Sequence, residues 1–351
     1  MSLHTSHFRP RRCLTTAVAL AASSLLLAAC GSASDDKGGG AAGGGGGGGR
    51  NTVTFMPKSL GNKYFQASDK GGKTAVAEFK GKFDEAGATE ASPTSQSPFI
   101  QTATQQQAGA IVLAANDPKA VCTDLEAAKQ AGVKVVTFDS DTECRDLFIN
   151  QVTVAGVADG LVDLMGKHLN GKGKIGIESG GPNATNLNAW VNAIKAKMAS
   201  KYPGIKIVDV VYGNDADSDS YNAAKGLIQS HPDLNGIIAP DSVAVKEAAH
   251  FISDSPQYKK TVWLTGLGLP SELKGYVKSG VIEKFGLWNP EDLGYLAAYA
   301  AHALIDGTIT GKEGDAFTAG KLGKYKVGAK GEVVLGPLFV FDKSNVDKFA
   351  F

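Results

Sequence analysis

From residue 51 onward, the chain alternates short apolar runs with longer stretches of helical period. Most of the short runs are rich in Val and Ile with few polar interruptions, which is typical of strands buried on both faces. The predicted strands are 51–56, 109–114, 133–139, 147–151, 173–179, 205–212, 234–240, 261–266 and 282–288. The predicted helices include 117–131, 188–200, 218–230 and 242–252. Strands that alternate with helices in this way predict parallel sheets covered by helices.

The number of predicted strands exceeds that of one ordinary doubly wound sheet. Residues 51–351 are also long enough for two domains of ordinary size. We therefore predict an α/β fold with two Rossmann-like, doubly wound parallel-sheet lobes. Because open parallel sheets bind ligands beyond the carboxyl ends of their strands, residues that directly follow strands are the first candidates for a site.

Polar and aromatic residues occupy several of these strand ends. They are Lys58, Asp139, Asp141, Asp241, Ser242, Trp288 and Asn289, together with the loop SGGPNATN at 179–186. A lysine at a strand end can donate to hydroxyls or a carbonyl, and a carboxylate facing it can accept from paired hydroxyls. We expect Lys58 to face Asp139 across the site, so that the two would orient a neutral polyhydroxy ligand.

Several of these candidates have a structural alternative. Lys58 could be a solvated turn lysine, and Asp139 could cap the following turn, a role that suits Asp141 better. The two carboxylates could also serve acid–base chemistry or a metal, but the spacing of a calcium loop is missing. Trp288 fits core packing and the stacking of a sugar ring equally well.

The sequence offers little support for an enzyme, a cofactor or nucleic acid. Its net charge is +1 and only 20% of residues are charged, so no electrostatic footprint for nucleic acid exists. A GxGxxG match at Gly171, Gly173 and Gly176 precedes a predicted strand, whereas a dinucleotide fingerprint follows one, so we interpret it as a turn. Phosphate-loop, HExxH and GxSxG signatures are absent from the sequence. We expect no cofactor, no metal and no catalytic residue.

The N-terminal residues have the pattern of an export signal followed by a linker. Arginines precede an apolar run at 14–29 that ends in Leu-Ala-Ala-Cys at Cys30. This ending resembles the bacterial lipobox, in which cleavage leaves a lipidated cysteine; a plain signal peptide or a twin-arginine signal are the alternatives. We assign 1–30 to the signal and 31–50, which is rich in glycine, to a flexible linker.

Two cysteines remain in the exported part, Cys122 and Cys144. An exported compartment permits disulfides, so we interpret the two as a bridge. The alternative is a metal pair, although neither cysteine has a His or Cys neighbour at ligand spacing.

An ordered set of segments resembles one known family. The segments are MPKSLGNKYF, VVTFDSDTECRDLFINQ, NLNAW, IIAPDS and GVIEKFGLWNP. Together they resemble the type I periplasmic binding proteins of sugar ABC transporters, in the branch of autoinducer-2-binding and rhamnose-binding receptors. The resemblance covers nearly all of 51–351 and implies two lobes joined by a three-crossing hinge, with the ligand between them. It implies an N-terminal lobe of 51–150 plus 289–338 and a C-terminal lobe of 151–288 plus 339–351.

The resemblance also implies a set of ligand-binding residues. The family's binding positions fall on Lys58, Asp139, Pro240 and Ser242, with an aromatic wall of Tyr64, Phe65 and Trp288. Asn62, Asp141, Asn186, Asp241 and Asn289 complete the candidate set, and the family's two cysteines match Cys122 and Cys144. One departure concerns the ligand, since autoinducer-2 receptors carry Asp-Gln where this chain has Asn186 and Leu187. Replacing a carboxylate by an amide and an amide by an alkyl group removes hydrogen-bonding capacity and favours a pentose, a deoxyhexose such as rhamnose, or a polyol.

The resulting hypothesis is a non-catalytic, monomeric receptor that captures a small neutral carbohydrate for an ABC permease and its ATPase. Cys30 would anchor it to the outer face of the cell membrane, on the periplasmic side if an outer membrane is present. A receptor for autoinducer-2 or a chemotactic ligand is the first alternative, and an exported carbohydrate-active enzyme is a distant one. Fold-level likeness cannot separate uptake from signalling, because function resides in the site.

Overall fold

The computed structural model describes residues 50–351. The predicted signal segment, Cys30 and almost all of the predicted linker lie outside the described residues. Across residues 50–351, no helix has the length and apolar character needed to span a bilayer.

The described chain alternates strands and helices as the hydrophobic pattern predicts. The strands are β1 (Thr52–Met56), β2 (Lys82–Glu85), β3 (Ala110–Leu113), β4 (Lys134–Phe138), β5 (Leu147–Asn150), β6 (Lys172–Ser179), β7 (Gly204–Tyr212), β8 (Gly236–Ala239), β9 (Trp263–Gly266), β10 (Lys284–Leu287), β11 (Ala316–Thr318), β12 (Lys324–Lys326), β13 (Glu332–Val334) and β14 (Phe339–Asp342). The helices are α1 (Lys63–Glu78), α2 (Ser97–Gln105), α3 (Cys122–Gln130), α4 (Val154–His168), α5 (Thr185–Lys201), α6 (Asp217–Ser230), α7 (Ser242–Asp254), α8 (Pro270–Ser279) and α9 (Pro290–Ile305). All nine predicted strands are present, each within a few residues of its expected bounds.

The larger strands form two parallel sheets, which confirms the predicted α/β fold with two lobes. The first sheet has the order β13-β5-β4-β3-β1-β2 and the second β7-β6-β8-β9. Ile282, just before β10, forms a single bridge with Leu264 of β9, and Gly286 of β10 forms one with Leu267, so this segment continues the second lobe. β10 also pairs antiparallel with β14. The chain passes between the lobes after β5, after β10 and after β13, as a three-crossing hinge requires.

The elements that the pattern did not predict are short or lie at edges. β2 reads Lys-Phe-Asp-Glu, has no fully buried residue and occupies the edge of the first sheet, so its sequence carries no buried-strand signal. β11 to β14 contain three or four residues each and pair within the C-terminal segment or with β5 and β10. The predicted helix at 117–131 begins only at Cys122, because the Asp117 carboxylate accepts from two backbone amides and holds a turn first.

The core lies on both faces of each sheet. All residues of β1, β3, β8 and β9 are buried, as the continuous apolar runs predict. In the first lobe, α1 packs on α9 through two glycines. A Cβ on Gly71 would lie 1.8 Å from the Glu291 carbonyl oxygen, and one on Gly294 would lie 1.8 Å from the Ser68 carbonyl oxygen. Only glycine permits this close approach of the two helix backbones.

Two further features concern stability. Cys122 and Cys144 lie with their Cα atoms 5.4 Å apart, within the range that a disulfide requires. Asp69 on α1 is buried beside the Glu85 carboxylate, and burial together with that neighbouring carboxylate raises its pKa to about 8. Of the GxGxxG glycines, Gly171 lies in the turn between α4 and β6, in the left-handed region at φ 75°, whereas Gly173 and Gly176 lie within β6.

Candidate functional site

A cavity of about 360 Å³, including space open to solvent, lies between the carboxyl ends of the two sheets. This is the position that open parallel sheets favour for a ligand. Residues of both lobes line it: Lys58, Asn62, Tyr64, Phe65, Asp139, Asn186, Leu187, Trp190, Asp215, Pro240, Asp241, Ser242, Leu267, Leu287 and Trp288. Ten of the twelve residues predicted to bind ligand are therefore brought together at one site.

Lys58 lies just beyond β1, and its ammonium group is held inside the site. Its side chain is only 4% exposed, its Nζ is 3.4 Å from Asp139 Oδ2, and it donates to Asn186 Oδ1 at 3.2 Å. Burial by itself lowers the pKa of Lys58, but the carboxylates of Asp139, Asp215 and Asp241 outweigh it and the net shift is upward. The ammonium is therefore charged at neutral pH and available to a ligand oxygen.

Two buried amide side chains hold the loop that carries Lys58. Gln96 donates to the Pro57 carbonyl at 3.0 Å and to the Ala114 carbonyl at 2.8 Å, and Asn116 donates to the Lys58 carbonyl at 3.0 Å. These bonds tie the loop after β1 to the end of the neighbouring strand β3. The lysine therefore stands on a loop held by hydrogen bonds, and its burial contradicts the alternative of a solvated turn lysine.

Asp139 ends β4 in an unusual backbone conformation. Its φ is 60°, in the left-handed region that few non-glycine residues adopt, and its carboxylate is buried. Oδ1 accepts from the Tyr64 hydroxyl at 3.0 Å, and Oδ2 accepts from the Asn186 amide at 3.1 Å and faces Lys58. Burial raises the pKa of Asp139, and the Lys58 ammonium and the Tyr64 hydroxyl oppose only part of that shift.

Aromatic rings form the wall beside this pair. The Trp288 indole N–H donates to the Tyr64 hydroxyl at 2.9 Å, and the rings meet edge to face with centroids 6.0 Å apart. Phe65 packs edge-on against Tyr64, and the ring centroid of Trp190 on α5 lies 5.9 Å from that of Trp288. The chain Trp288–Tyr64–Asp139 therefore fixes both ring and carboxylate, and Trp288 lines the cavity as well as belonging to the core.

The second lobe contributes residues from helix N-termini. Asp241 is the N-cap of α7, and its Oδ1 accepts from the amides of Val243 and Ala244 at 3.1 and 2.9 Å. Asn62 plays the same part for α1 in the first lobe, accepting from the Tyr64 amide at 2.9 Å. Both caps also line the cavity, so a helix start and a ligand site share the same residues.

Two predicted residues lie outside the cavity lining. The Asp141 carboxylate is taken up by Arg145, with Nε–Oδ1 and Nη2–Oδ2 distances of 3.0 Å, and by the Thr142 amide. Asn289 caps α9 by accepting from the amides of Glu291 and Asp292. The observed contacts of both residues are structural, and a role in ligand binding stays a prediction for each.

Sequence reasoning missed one polar residue and several apolar ones. Asp215 follows β7, so the rule that favours residues after strand ends could have found it. It was missed because two residues separate it from the end of the strand. Leu187, Trp190, Leu267 and Leu287 give the cavity an apolar side. In particular, Leu187 was considered only as a departure from autoinducer-2 receptors, although it lines the site.

The site as a whole combines one buried ammonium, several carboxylates and an aromatic wall. Within residues 50–351, no group of three or more His, Cys, Asp or Glu side chains is placed to hold a metal ion. The arrangement supplies donors and acceptors for hydroxyls and an apolar surface for ring carbons, which is the chemistry of carbohydrate recognition.

Comparisons with known proteins agree with this geometry. The sequence profile of the periplasmic binding protein domain matches residues 53–309. A sugar ABC transporter structure from Actinomyces odontolyticus is 45% identical, covering 86% of this chain and 97% of that one, with a TM-score of 0.70. A solute-binding protein from Clostridium phytofermentans with bound L-rhamnose is 34% identical over 85% and 98% of the two chains, with a TM-score of 0.82.

The autoinducer-2 branch is also represented. LsrB from Clostridium saccharobutylicum, in complex with AI-2, is 28% identical over 86% of this chain and all of that chain, with a TM-score of 0.82. The matches to two curated relatives are shorter and span 63% and 50% of the lengths of those proteins.

Proposed function

Since the chain belongs to the periplasmic binding protein family, we propose that it is the substrate-binding component of an ABC importer for a small neutral carbohydrate. The observation that carries this proposal is the buried Lys58–Asp139 pair, 3.4 Å apart between two sheet ends and beside an aromatic wall. The receptor is not an enzyme; it binds the sugar between its lobes and delivers it to the permease.

The lining of the cavity favours a pentose, a deoxyhexose such as L-rhamnose, or a polyol. Hydroxyls would find Lys58, Asp139 and Asn186 on one side, while the apolar side would suit a methyl group or ring carbons. Autoinducer-2 is disfavoured because Leu187 offers no hydrogen bond where an amide would be needed. The likeness to both a rhamnose-bound and an AI-2-bound protein supports the branch, while the side chains at 186 and 187 support a sugar.

A thermal-shift screen of monosaccharides, polyols and autoinducer-2 identifies the ligand, because specific binding raises the melting temperature by mass action. Calorimetric titration then compares the parent with Lys58→Met and Asp139→Asn, each expected to weaken binding about tenfold to a hundredfold. The matched control is Lys119→Met, since Lys119 also lies 3.4 Å from a carboxylate, that of Glu143, but is 70% exposed. If no carbohydrate binds, or if both site variants bind like the parent, this function is wrong. Recovery of chemically altered sugar after incubation would instead indicate an enzyme.

Membrane attachment is a separate part of the proposal. Cys30 would carry the lipid anchor, and residues 31–50 would let the monomeric receptor reach its permease. In a bacterial host that processes lipoproteins, the parent is expected in the membrane fraction and Cys30→Ala in the soluble fraction. Equal distribution of the two proteins would rule the anchor out.

A further inference from the structure

The end of the first lobe that lies opposite the cavity carries a group of positively charged side chains. The cavity lies beyond the carboxyl ends of the strands, whereas these residues lie where the parallel strands β4, β1 and β2 begin. Lys82 and Lys134 are the first residues of β2 and β4. Arg50 precedes β1, and the Lys80 carbonyl accepts from the side chain of its neighbour Asn51 at 2.9 Å. We call this group the basic end: Arg50, Lys80, Lys82 and Lys134.

Carboxylates of the described chain leave these four charges unneutralised. Three of the four side chains are exposed, and that of Lys134 is half-buried. None of the four forms an ion pair with a carboxylate of residues 50–351, whereas Lys129 on the nearby helix α3 pairs with Glu126 at 3.1 Å. The Asp306 carboxylate, at the end of α9, accepts from the Thr308 amide at 2.8 Å instead. The basic end therefore keeps four unpaired positive charges on one face of the lobe.

A recess lies within the basic end. Its volume is about 710 Å³, including space open to solvent, and its lining includes Arg50 and Lys134 together with Gly109 and Ile305. Glycine is required at 109, because a Cβ there would come within 2.1 Å of the Arg50 carbonyl oxygen. A phosphate group that enters this recess would lie between residues that carry a guanidinium and an ammonium group, the two partners that phosphate favours in proteins.

A structural role accounts for only part of this charge. Cations near the carboxyl end of a helix stabilise it, and Lys80 lies just after α1. This effect falls off within the last turn of a helix. Lys82 and Lys134 begin strands and Arg50 precedes one, so these three cations lie outside the last turn of any described helix.

The chain that leads to the predicted anchor joins the lobe at this same end. Arg50 directly follows a run of seven glycines and lies twenty residues after Cys30. A flexible chain of that length and composition spans about 25 Å on average. Electrostatic attraction to a membrane surface acts over about 8–10 Å at physiological salt. A tether of this length therefore lets the basic end reach the lipid headgroups while the rest of the lobe extends away from them.

We propose that the basic end binds the headgroups of anionic phospholipids and holds the anchored receptor with this end against the membrane. Because the cavity lies at the opposite end of the strands, this orientation leaves the cleft free for its ligand. The orientation rests on the proposed lipid anchor, whereas the affinity for anionic headgroups depends only on described residues.

Co-sedimentation with lipid vesicles tests the affinity for headgroups. The protein is the chain of residues 31–351, which keeps every described helix and strand and lacks the cysteine proposed to be acylated. The probes are vesicles of phosphatidylcholine alone and of equal parts phosphatidylcholine and phosphatidylglycerol. We expect the parent to bind only the anionic vesicles at low ionic strength and to be released by salt. Each cation near an anionic surface strengthens binding about fivefold, so Lys80→Gln, Lys82→Gln, Lys134→Gln should bind about a hundredfold more weakly.

The matched control removes the same charge from the second lobe. It carries Lys195→Gln, Lys225→Gln and Lys274→Gln at three exposed helix positions and should bind the anionic vesicles like the parent. Both triple variants should melt like the parent and keep its response to sugar. If the parent binds both kinds of vesicle equally, or if the two triple variants lose binding equally, the inference is wrong while the receptor function stands.

The orientation is measured on the lipidated full chain in the same anionic vesicles. A dye on Gln106→Cys, beside the basic end, should be quenched by headgroup-labelled lipid more strongly than a dye on Lys225→Cys, and salt should remove the difference. Equal quenching at low salt would refute the orientation. If Cys30 proves not to be acylated, the anchor and the orientation fail together, and sedimentation still decides the affinity for headgroups.

Discussion

Replacing Lys58 by methionine tests whether the buried ion pair shapes stability as well as binding. The change roughly keeps the volume of the side chain but leaves the Asp139 carboxylate without its ammonium, with both groups almost fully buried. Removing one partner of a buried pair typically costs 3–5 kcal/mol. The Tyr64 hydroxyl and the Asn186 amide still donate to Asp139, so we expect the lower end, about 3 kcal/mol at pH 8.

The sign of the pH dependence of this penalty shows whether ionised Asp139 is its cause. Without Lys58, the pKa of Asp139 is raised further in the folded protein than in the parent, above an unfolded value of about 3.9. A group with a raised folded pKa supports the folded state fully below its unfolded pKa, and this support is lost as pH rises through the folded pKa. The penalty of Lys58→Met should therefore be small at pH 4 and grow towards pH 8.

Urea unfolding of the ligand-free protein at a series of pH values measures this penalty. Lys119→Met should change the free energy of unfolding by less than about 0.5 kcal/mol, because its partner at the same distance is exposed. The double variant Lys58→Met, Asp139→Asn should recover much of the loss, since it leaves no buried charge. A small, pH-independent effect of Lys58→Met would show that Lys58 and Asp139 are not coupled in the folded protein.

Three further changes probe the rest of the fold. Asp69→Asn should stabilise the protein by about 2–5 kcal/mol at pH 9 and little at pH 4, since burial raises the pKa of Asp69 to about 8 and its ionisation opposes folding; equal melting temperatures at pH 9 would contradict this. Thiol titration of the denatured, unreduced domain made without residues 1–30 should find Cys122 and Cys144 oxidised, and reduction should cost about 3 kcal/mol; two free thiols would disprove the bridge. Gly294→Ala should cost about 1–3 kcal/mol by urea unfolding, because its Cβ would meet the Ser68 carbonyl; parent-like stability would mean that α1 and α9 separate easily.

Local rules were sufficient for most of the architecture. Continuous apolar runs indicate strands buried on both faces. Their alternation with helices favours a parallel sheet covered by helices. The rule that ligands lie beyond strand ends then selected Lys58 and Asp139, and both line the cavity. The pattern did not predict β2, because an edge strand without a fully buried residue has no continuous apolar run.

What only the tertiary structure decided was which polar residues remain available to a ligand. Asp141 and Asn289 follow strands just as Asp139 does. However, the Asp141 carboxylate is bound by Arg145, and the Asn289 side chain caps the start of α9. Conversely, Asp215 lies in an ordinary polar loop. It reaches the cavity because its backbone is in the left-handed region and because Gly180 has no side chain to obstruct its carboxylate. The position of a residue along the chain shows whether it follows a strand. Whether its polar group remains available to a ligand depends on backbone angles or on partners that are distant in sequence. These are set only once both lobes have folded.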